Sequence, residues 1–305
     1  MRNTFAKVFF EEAKLDNRLS IVVADISPAG AMTEFRKEFP NRFINTGVAE
    51  QIMIGMVAGM AMQGLKPFAY TIATFALYRP FEFIRDDLCY QNLPVTIVGI
   101  GGGVTYSSLG STHHAQEDIS IARSIPNLSI LAPCDPLETE QATKYCTKQE
   151  EGPIYLRLGK AGEPNLSNEM SDPFLFGKIR YLKKGEEICV IGYGPILKFA
   201  IKISEYYANK NKNISIVSNH TLKPMDDEGL TQVLKKHNKI IVIEELSPIG
   251  GLSDYLKILS WKHNIYCEII DFTLKDEFIH SYSSHDDLLE LHGLSLDFIK
   301  SKLNL

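Results

Sequence analysis

The chain has 305 residues, 45% of them hydrophobic and 23% charged, which is a globular composition with length for about two domains. Its net charge of −5, with basic residues dispersed rather than striped, excludes a broad nucleic-acid footprint. Five cysteines (Cys89, Cys134, Cys146, Cys189, Cys267) form no CxxC pair and point to reduced, mostly buried thiols in a cytosolic protein.

At the N-terminus, MRNTFAKVFFEEAK alternates charged and apolar residues and offers no uninterrupted apolar core for a secretory signal. Short apolar runs then recur at residues 19–24, 67–72, 95–100, 128–132 and 154–158, each followed by a helix-length segment. Between the first two, residues 46–64 (TGVAEQIMIGMVAGMAMQG) read as a helix whose Gly55, Ala58 and Gly59 leave one face almost without side-chain bulk. The apolar stretch 52–65 is too short to span a bilayer, so its bare face suits tight core packing or a subunit interface. Glu50 is a lone acid near the start of that helix, where local context alone makes it a favourable N-terminal charge. After a polar stretch at 160–173, further runs at 187–192, 214–217, 239–244 and 267–272 form a second set. Buried Val/Ile strands alternating with helices predict parallel sheets covered on both faces. The expected fold is therefore two parallel-sheet α/β domains, 1–172 and 173–305. Gly192, Tyr193, Gly194 and Pro195 follow a predicted strand, but the third glycine of GxGxxG is missing, so they read as a turn rather than a nicotinamide site.

Residues 32–51 (MTEFRKEFPNRFINTGVAEQ), 71–75 (TIATF) and 110–118 (GSTHHAQED) together resemble the pyrimidine-binding domain of transketolases and deoxyxylulose-phosphate synthases. Residues 220–230 (HTLKPMDDEGL) and 242–252 (VIEELSPIGGL) are similar to the C-terminal domain of the same family. The resemblance runs over essentially the whole chain, in order. It implies thiamine diphosphate as cofactor, with Mg²⁺ and the diphosphate held by a Gly-Asp-Gly motif that is nowhere in this chain. The chain also begins where that diphosphate-binding domain would end. The expectation is a split transketolase: this chain as the smaller subunit, an N-terminal partner subunit holding Mg²⁺, an α2β2 heterotetramer, and a ketol unit moved between sugars or sugar phosphates.

Residue roles follow from the resemblance. Glu50, within the apolar GVAEQIMIG, matches the glutamate placed against N1′ of the aminopyrimidine. A carboxyl removed from water suits proton sharing there, and the cofactor supplies the carbon chemistry. Phe75 matches the aromatic that stacks on the pyrimidine, Tyr78 a second pocket position, and Phe81 a third that equally suits plain core. His113 matches a histidine facing the substrate, where proton transfer near neutral pH suits imidazole; His114 is expected to be structural. Asp25, ending the first strand, matches an acid near the cofactor and the partner subunit. Arg2 and Arg157 match two arginines that bind a substrate phosphate, although Arg157 in YLRLG equally suits pairing with an interface acid.

Departures limit the substrate. A phosphate-binding serine and histidine of the family are replaced by Ala29 and Gly101, and the acids of GEDG by Ser108 and Leu109. Loss of a hydroxyl-reading acid predicts altered hydroxyl stereochemistry or a substrate without the usual hydroxyl. Other readings are a synthase-like carboligase, a β subunit of a 2-oxo acid dehydrogenase, and a non-catalytic subunit that kept only the fold.

Overall fold

The computed structural model describes residues 1–26 and 30–305. In chain order the first unit runs α1 (Arg2–Leu15), β1 (Leu19–Val23), α2 (Met32–Glu38), β2 (Phe43–Asn45), α3 (Glu50–Met62), β3 (Lys66–Ile72), α4 (Ala73–Leu77) and α5 (Phe81–Phe83). The last of these continues into a π-helical turn, Ile84–Tyr90; β4 (Thr96–Ile100), α6 (Asp118–Ser124), β5 (Ser129–Leu131), α7 (Pro136–Lys148) and β6 (Ile154–Leu158) follow. The second unit runs β7 (Arg180–Lys183), β8 (Ile188–Gly192), α8 (Lys198–Asn209), β9 (Ser215–Ser218), β10 (Thr221–Lys223) and α9 (Asp227–Lys236). It ends with β11 (Lys239–Ile243), α10 (Leu252–Lys262), β12 (Glu268–Phe272), α11 (His285–Leu291) and α12 (Leu296–Leu303).

Two sheets result, in the orders β10-β5-β6-β4-β3-β1-β2 and β12-β11-β8-β9-β7. Strands β1, β4, β6 and β8 are buried at every residue, which is why they read as continuous apolar runs rather than alternations. Alternate residues of the first sheet serve two cores. Val22 and Ala69 face Met53, Ile54 and Val57 of α3. Ile21, Val23 and Phe68 face Phe5 and Phe9 of α1 and Phe35 of α2, and Phe9 meets Phe68 edge-on at 4.8 Å. The sheet thus holds α3 on one side against a rigid aromatic layer on the other.

Three points refine the sequence reading. The sheets are mixed, because β7 pairs antiparallel with β9 and β10 antiparallel with β5. Strand β10 lies beyond the expected boundary at 173 yet completes the first sheet, covering the edge that β5 would otherwise leave open. Helix α3 opens at Glu50 rather than Thr46. Gly47 adopts φ +71°, and the Thr46 amide is drawn to the Val23 carbonyl at 3.0 Å, so the chain stays off the helical path until Ala49. All five cysteines are free, four of them buried. Among the described residues no helix is long and apolar enough to cross a membrane.

Candidate active site

The segments following the carboxyl ends of β1, β2, β3 and β4 carry most of the expected site residues, as the geometry of parallel strands favours. Asn45 Oδ1 accepts from the backbone N–H groups of Asp25 and Gly47 at 3.1 and 2.9 Å, tying the end of β1 to the turn that enters α3. Asp25 itself is exposed, at φ +47°. The same turn delivers Glu50 as the first residue of α3, only 2% exposed. Glu50 Oε2 accepts a hydrogen bond from Arg79 Nη1 at 2.6 Å. A buried carboxylate needs such a partner, since an unpaired charge out of water costs several kcal/mol. The Arg79 guanidinium also lies over the Phe75 ring, 4.6 Å from its centre. Phe75, on α4, meets the His113 ring edge-on with centres 5.2 Å apart. Thr112 Oγ1 lies 3.1 Å from His113 Nδ1.

Glu50, Phe75 and His113, distant in sequence, therefore form one chain of contacts with Arg79 in its middle. Sequence reasoning missed Arg79. The available signal was its position four residues after Phe75, the spacing that brings side chains together on one helical face.

Tyr78 is half-buried, and its hydroxyl donates to Glu117 Oε2 at 2.8 Å while accepting from the Glu117 amide at 3.1 Å. Burial pushes this phenol up, and the nearby Asp118 and Glu117 charges push it further. Tyr78 and Phe81 both pack against the core beneath α3. His114 is 3% exposed, in contrast to half-buried His113, and burial holds its imidazole below the ordinary value. The turn Ser107–Leu109 leaves Ser108 and Leu109 exposed, Leu109 at 46%. Beyond it, the Ser111 hydroxyl donates to the Ile279 carbonyl at 2.9 Å, so the second unit braces the loop that carries His113.

The expected phosphate site divides. Arg2, at the start of α1, is half-buried beside Tyr70 and Tyr106, and its Nε has no hydrogen-bond partner among the described residues. A Cβ at Gly101 would stand 2.4 Å from the Tyr106 ring, so that tyrosine fills the space of the missing histidine. Ala29 lies outside the described residues. Arg157 is turned inward: its Nε donates to Asp118 Oδ2 at 2.8 Å and its Nη2 to the Glu245 carbonyl at 3.0 Å, with 5% of the side chain exposed. That placement takes the acid-pairing alternative over the phosphate one, because Nε is committed to Asp118 and Nη2 to a carbonyl of the second unit.

Glu245, after β11, completes this junction by accepting from the Val104 amide and from His285 Nε2, each at 2.8 Å. Burial raises the Glu245 carboxyl, but His285, Arg157 and the Val104 amide outweigh it and leave it below the usual carboxylate range. For His285, burial lowers the imidazole and Glu245 more than offsets that, leaving it raised above 6.5. The histidine's share of stability is thus complete below pH 6.5 and lost as pH rises through its folded value; the glutamate's share is lost in acid. The histidines lowered by burial, His114, His220, His237 and His292, are already neutral in that upper range. Melting temperature should therefore fall as pH climbs above 6.5, and His285→Gln should flatten the curve while lowering its acid side by roughly 2–4 °C. Differential scanning across pH measures it; wild-type and variant curves that stay parallel would remove the pair from the stability balance.

Residues 1–163 match the family described as transketolase, pyrimidine binding domain, and residues 177–299 the transketolase C-terminal domain. The chain is 32% identical, over 82% of its length and 80% of the relative's, to one subunit of an apulose-4-phosphate transketolase from Phocaeicola vulgatus. It is 31% identical to a 1-deoxy-D-xylulose-5-phosphate synthase from Clostridium perfringens over 99% of this chain but only 48% of the synthase. A solved structure described as a split gene transketolase, inactive beta4 tetramer, superimposes with TM-score 0.88 at 29% identity, covering 99% of this chain and 96% of that one.

Proposed function

Because the chain belongs to the transketolase family, with that family's pyrimidine-binding and C-terminal domains, we propose that it is the smaller subunit of a two-chain, thiamine-diphosphate-dependent transketolase. The observation that carries this reading is Glu50: a carboxylate 2% exposed, linked through Arg79 to the Phe75 face and the His113 edge. The residues suit the cofactor's aminopyrimidine. A planar, nitrogen-bearing group, the Arg79 guanidinium, already lies against the Glu50 oxygen and over the Phe75 ring, and a flat heterocycle matches the same two surfaces. When bound, thiamine diphosphate supplies a thiazolium carbon able to carry a ketol unit. Glu50 then shares a proton with the ring nitrogen, Phe75 holds the ring's orientation, and His113 stands at the substrate side as proton donor or acceptor. Burial keeps water from competing for the Glu50 carboxyl.

A partner chain is proposed to contribute Mg²⁺ and the diphosphate contacts. An exposed apolar strip supports an extended interface beside the site: Val48 at 70%, Ile52 at 61% and Met62 at 60% exposure, with open space over Gly55 and Gly59. The Phocaeicola relative is itself named as one subunit of a transketolase, which agrees with a two-chain enzyme, proposed as α2β2. The split-gene relative, whose beta4 tetramer is described as inactive, agrees with activity that needs the other chain.

Substrate choice rests on Leu109 and Tyr106. An exposed leucine stands where the family reads a hydroxyl, and Tyr106 fills the pocket of an absent phosphate-binding histidine. Missing hydrogen-bond partners of this kind disfavour a substrate group by ~1–3 kcal/mol, or roughly ten- to a hundredfold. Xylulose 5-phosphate with ribose 5-phosphate should accordingly be a poor pair for the two-chain enzyme, and a deoxy, epimeric or non-phosphorylated sugar a better one. Comparing kcat/KM across such a panel tests both levels. Efficient turnover of the ordinary pentose phosphates would overturn the altered pocket. The synthase likeness favours a second reading, a carboligase that consumes pyruvate; release of CO₂ from pyruvate on the reconstituted enzyme would select it.

A further inference from the structure

Arg79 holds an unusual position. It follows Tyr78, which caps α4, and precedes buried Pro80, and its side chain is 37% exposed. From there it reaches inward to the one carboxylate and the one aromatic face on which the proposed function places the aminopyrimidine. Its Nη1 lies 2.6 Å from Glu50 Oε2 and its guanidinium carbon 4.6 Å from the Phe75 ring centre. A guanidinium and an aminopyrimidine share the features that matter here, being flat, presenting N–H donors to a carboxylate, and lying face-on against an aromatic ring. Two such groups cannot occupy one ring face and one carboxylate oxygen together.

From this coincidence, and resting on the proposed function, we infer that Arg79 is a latch that occupies the aminopyrimidine's place in the cofactor-free chain. Glu50 is 2% exposed, so without cofactor its charge needs a partner, and Arg79 is the partner that the fold supplies. Arrival of the ring takes over both contacts, and the long, partly exposed arginine swings toward solvent. The latch keeps the buried carboxylate of the empty site paired, and it lowers cofactor affinity by the free energy of the contacts that must be exchanged. Arg79 is thus a positioning residue that acts through Glu50 and Phe75.

The test is calorimetric titration of the reconstituted two-chain complex with thiamine diphosphate and Mg²⁺, using wild type, Arg79→Gln and Arg79→Lys. Arg79→Gln removes the charge and should tighten cofactor binding about tenfold, with faster association in stopped-flow mixing, because nothing has to be displaced. Arg79→Lys keeps the charge but loses the flat face, so its affinity should fall between the two. If Arg79→Gln does not assemble, Arg79→Lys decides alone: tightening of a fewfold supports the latch. Unchanged or weaker binding in the assembled variants overturns it while leaving the transketolase reading intact. A wild-type complex that takes up no thiamine diphosphate defeats that reading, and the latch with it.

Discussion

Glu50→Gln, in the reconstituted enzyme, is expected to slow proton exchange at the reactive carbon of bound thiamine diphosphate by ~10²–10⁴-fold while leaving the fold in place. The two halves of that expectation come from the same geometry. Glutamine has the size of glutamate, and its amide oxygen can still accept the hydrogen bond that Arg79 Nη1 gives to Glu50 Oε2. The entry to α3 is set independently by Asn45, Gly47 and the Thr46–Val23 contacts, none of which involves the Glu50 side chain. Secondary structure and melting temperature should therefore stay close to wild type. An amide, however, cannot exchange a proton with a ring nitrogen as a carboxyl does. Exchange at the carbon isolates this step from sugar binding, so losses from a disturbed substrate channel do not enter the measurement. A Gln variant exchanging at the wild-type rate would remove Glu50 from the mechanism. One exchanging slowly but also unfolding early would show that the carboxylate's main work is structural.

Much of the fold was legible because its signals were local. Every apolar run read from the sequence became a strand to within a residue or two, since strands buried on both faces announce themselves by composition alone. The strands that were missed, β2 (Phe43–Asn45), β7 (Arg180–Lys183) and β10 (Thr221–Lys223), have three or four residues each and lie at sheet edges. Their pairing is decided by what tertiary packing leaves uncovered, which no local pattern encodes. The start of α3 failed for a different reason. Residues 46–49 look compatible with helix, but a β1 carbonyl competes for the Thr46 amide, and that competitor is distant in sequence.

The site shows the same division. The family motif marks Glu50, Phe75 and His113 one by one, and the fold brings them into one chain of contacts. Arg79 carries only the weak signal of its spacing from Phe75, because its contact with Glu50 joins segments 29 residues apart. Arg157 shows where two readings of one position had to wait for the structure. A matching position suggested a ligand-binding arginine, whereas Asp118 and the Glu245 carbonyl claim its guanidinium from inside the fold. Pairing between an arginine and a carboxylate 39 residues apart is a fact of packing, invisible until β6 and α6 are brought together in the fold.

Without a second chain, this protein should bind thiamine diphosphate at least about a thousandfold more weakly than the two-chain complex. Glu50, Phe75 and His113 address one end of the cofactor only. For the other end, a diphosphate with a hard cation, the chain has no Gly-Asp-Gly motif, and among the described residues no three His, Cys, Asp or Glu side chains are arranged to hold a metal. Hydrogen bonds to charged groups contribute ~1.5–3 kcal/mol each, so losing a few of them accounts for three or more powers of ten. The exposed strip along α3 adds a second expectation about how affinity is regained. Ile52 and Met62, more than half exposed, lie on the helix that Glu50 begins, so a partner that seats on this strip also closes the site. Adding the partner should restore micromolar or tighter binding, and Ile52→Lys should weaken assembly and cofactor uptake together while the isolated chain keeps its melting temperature. Titrating the isolated chain, then the mixture, with cofactor and Mg²⁺ measures the first effect, and sedimentation at matched concentrations the second. Micromolar binding by the chain alone would mean that it holds a complete cofactor site, and the two-chain architecture would have to be abandoned.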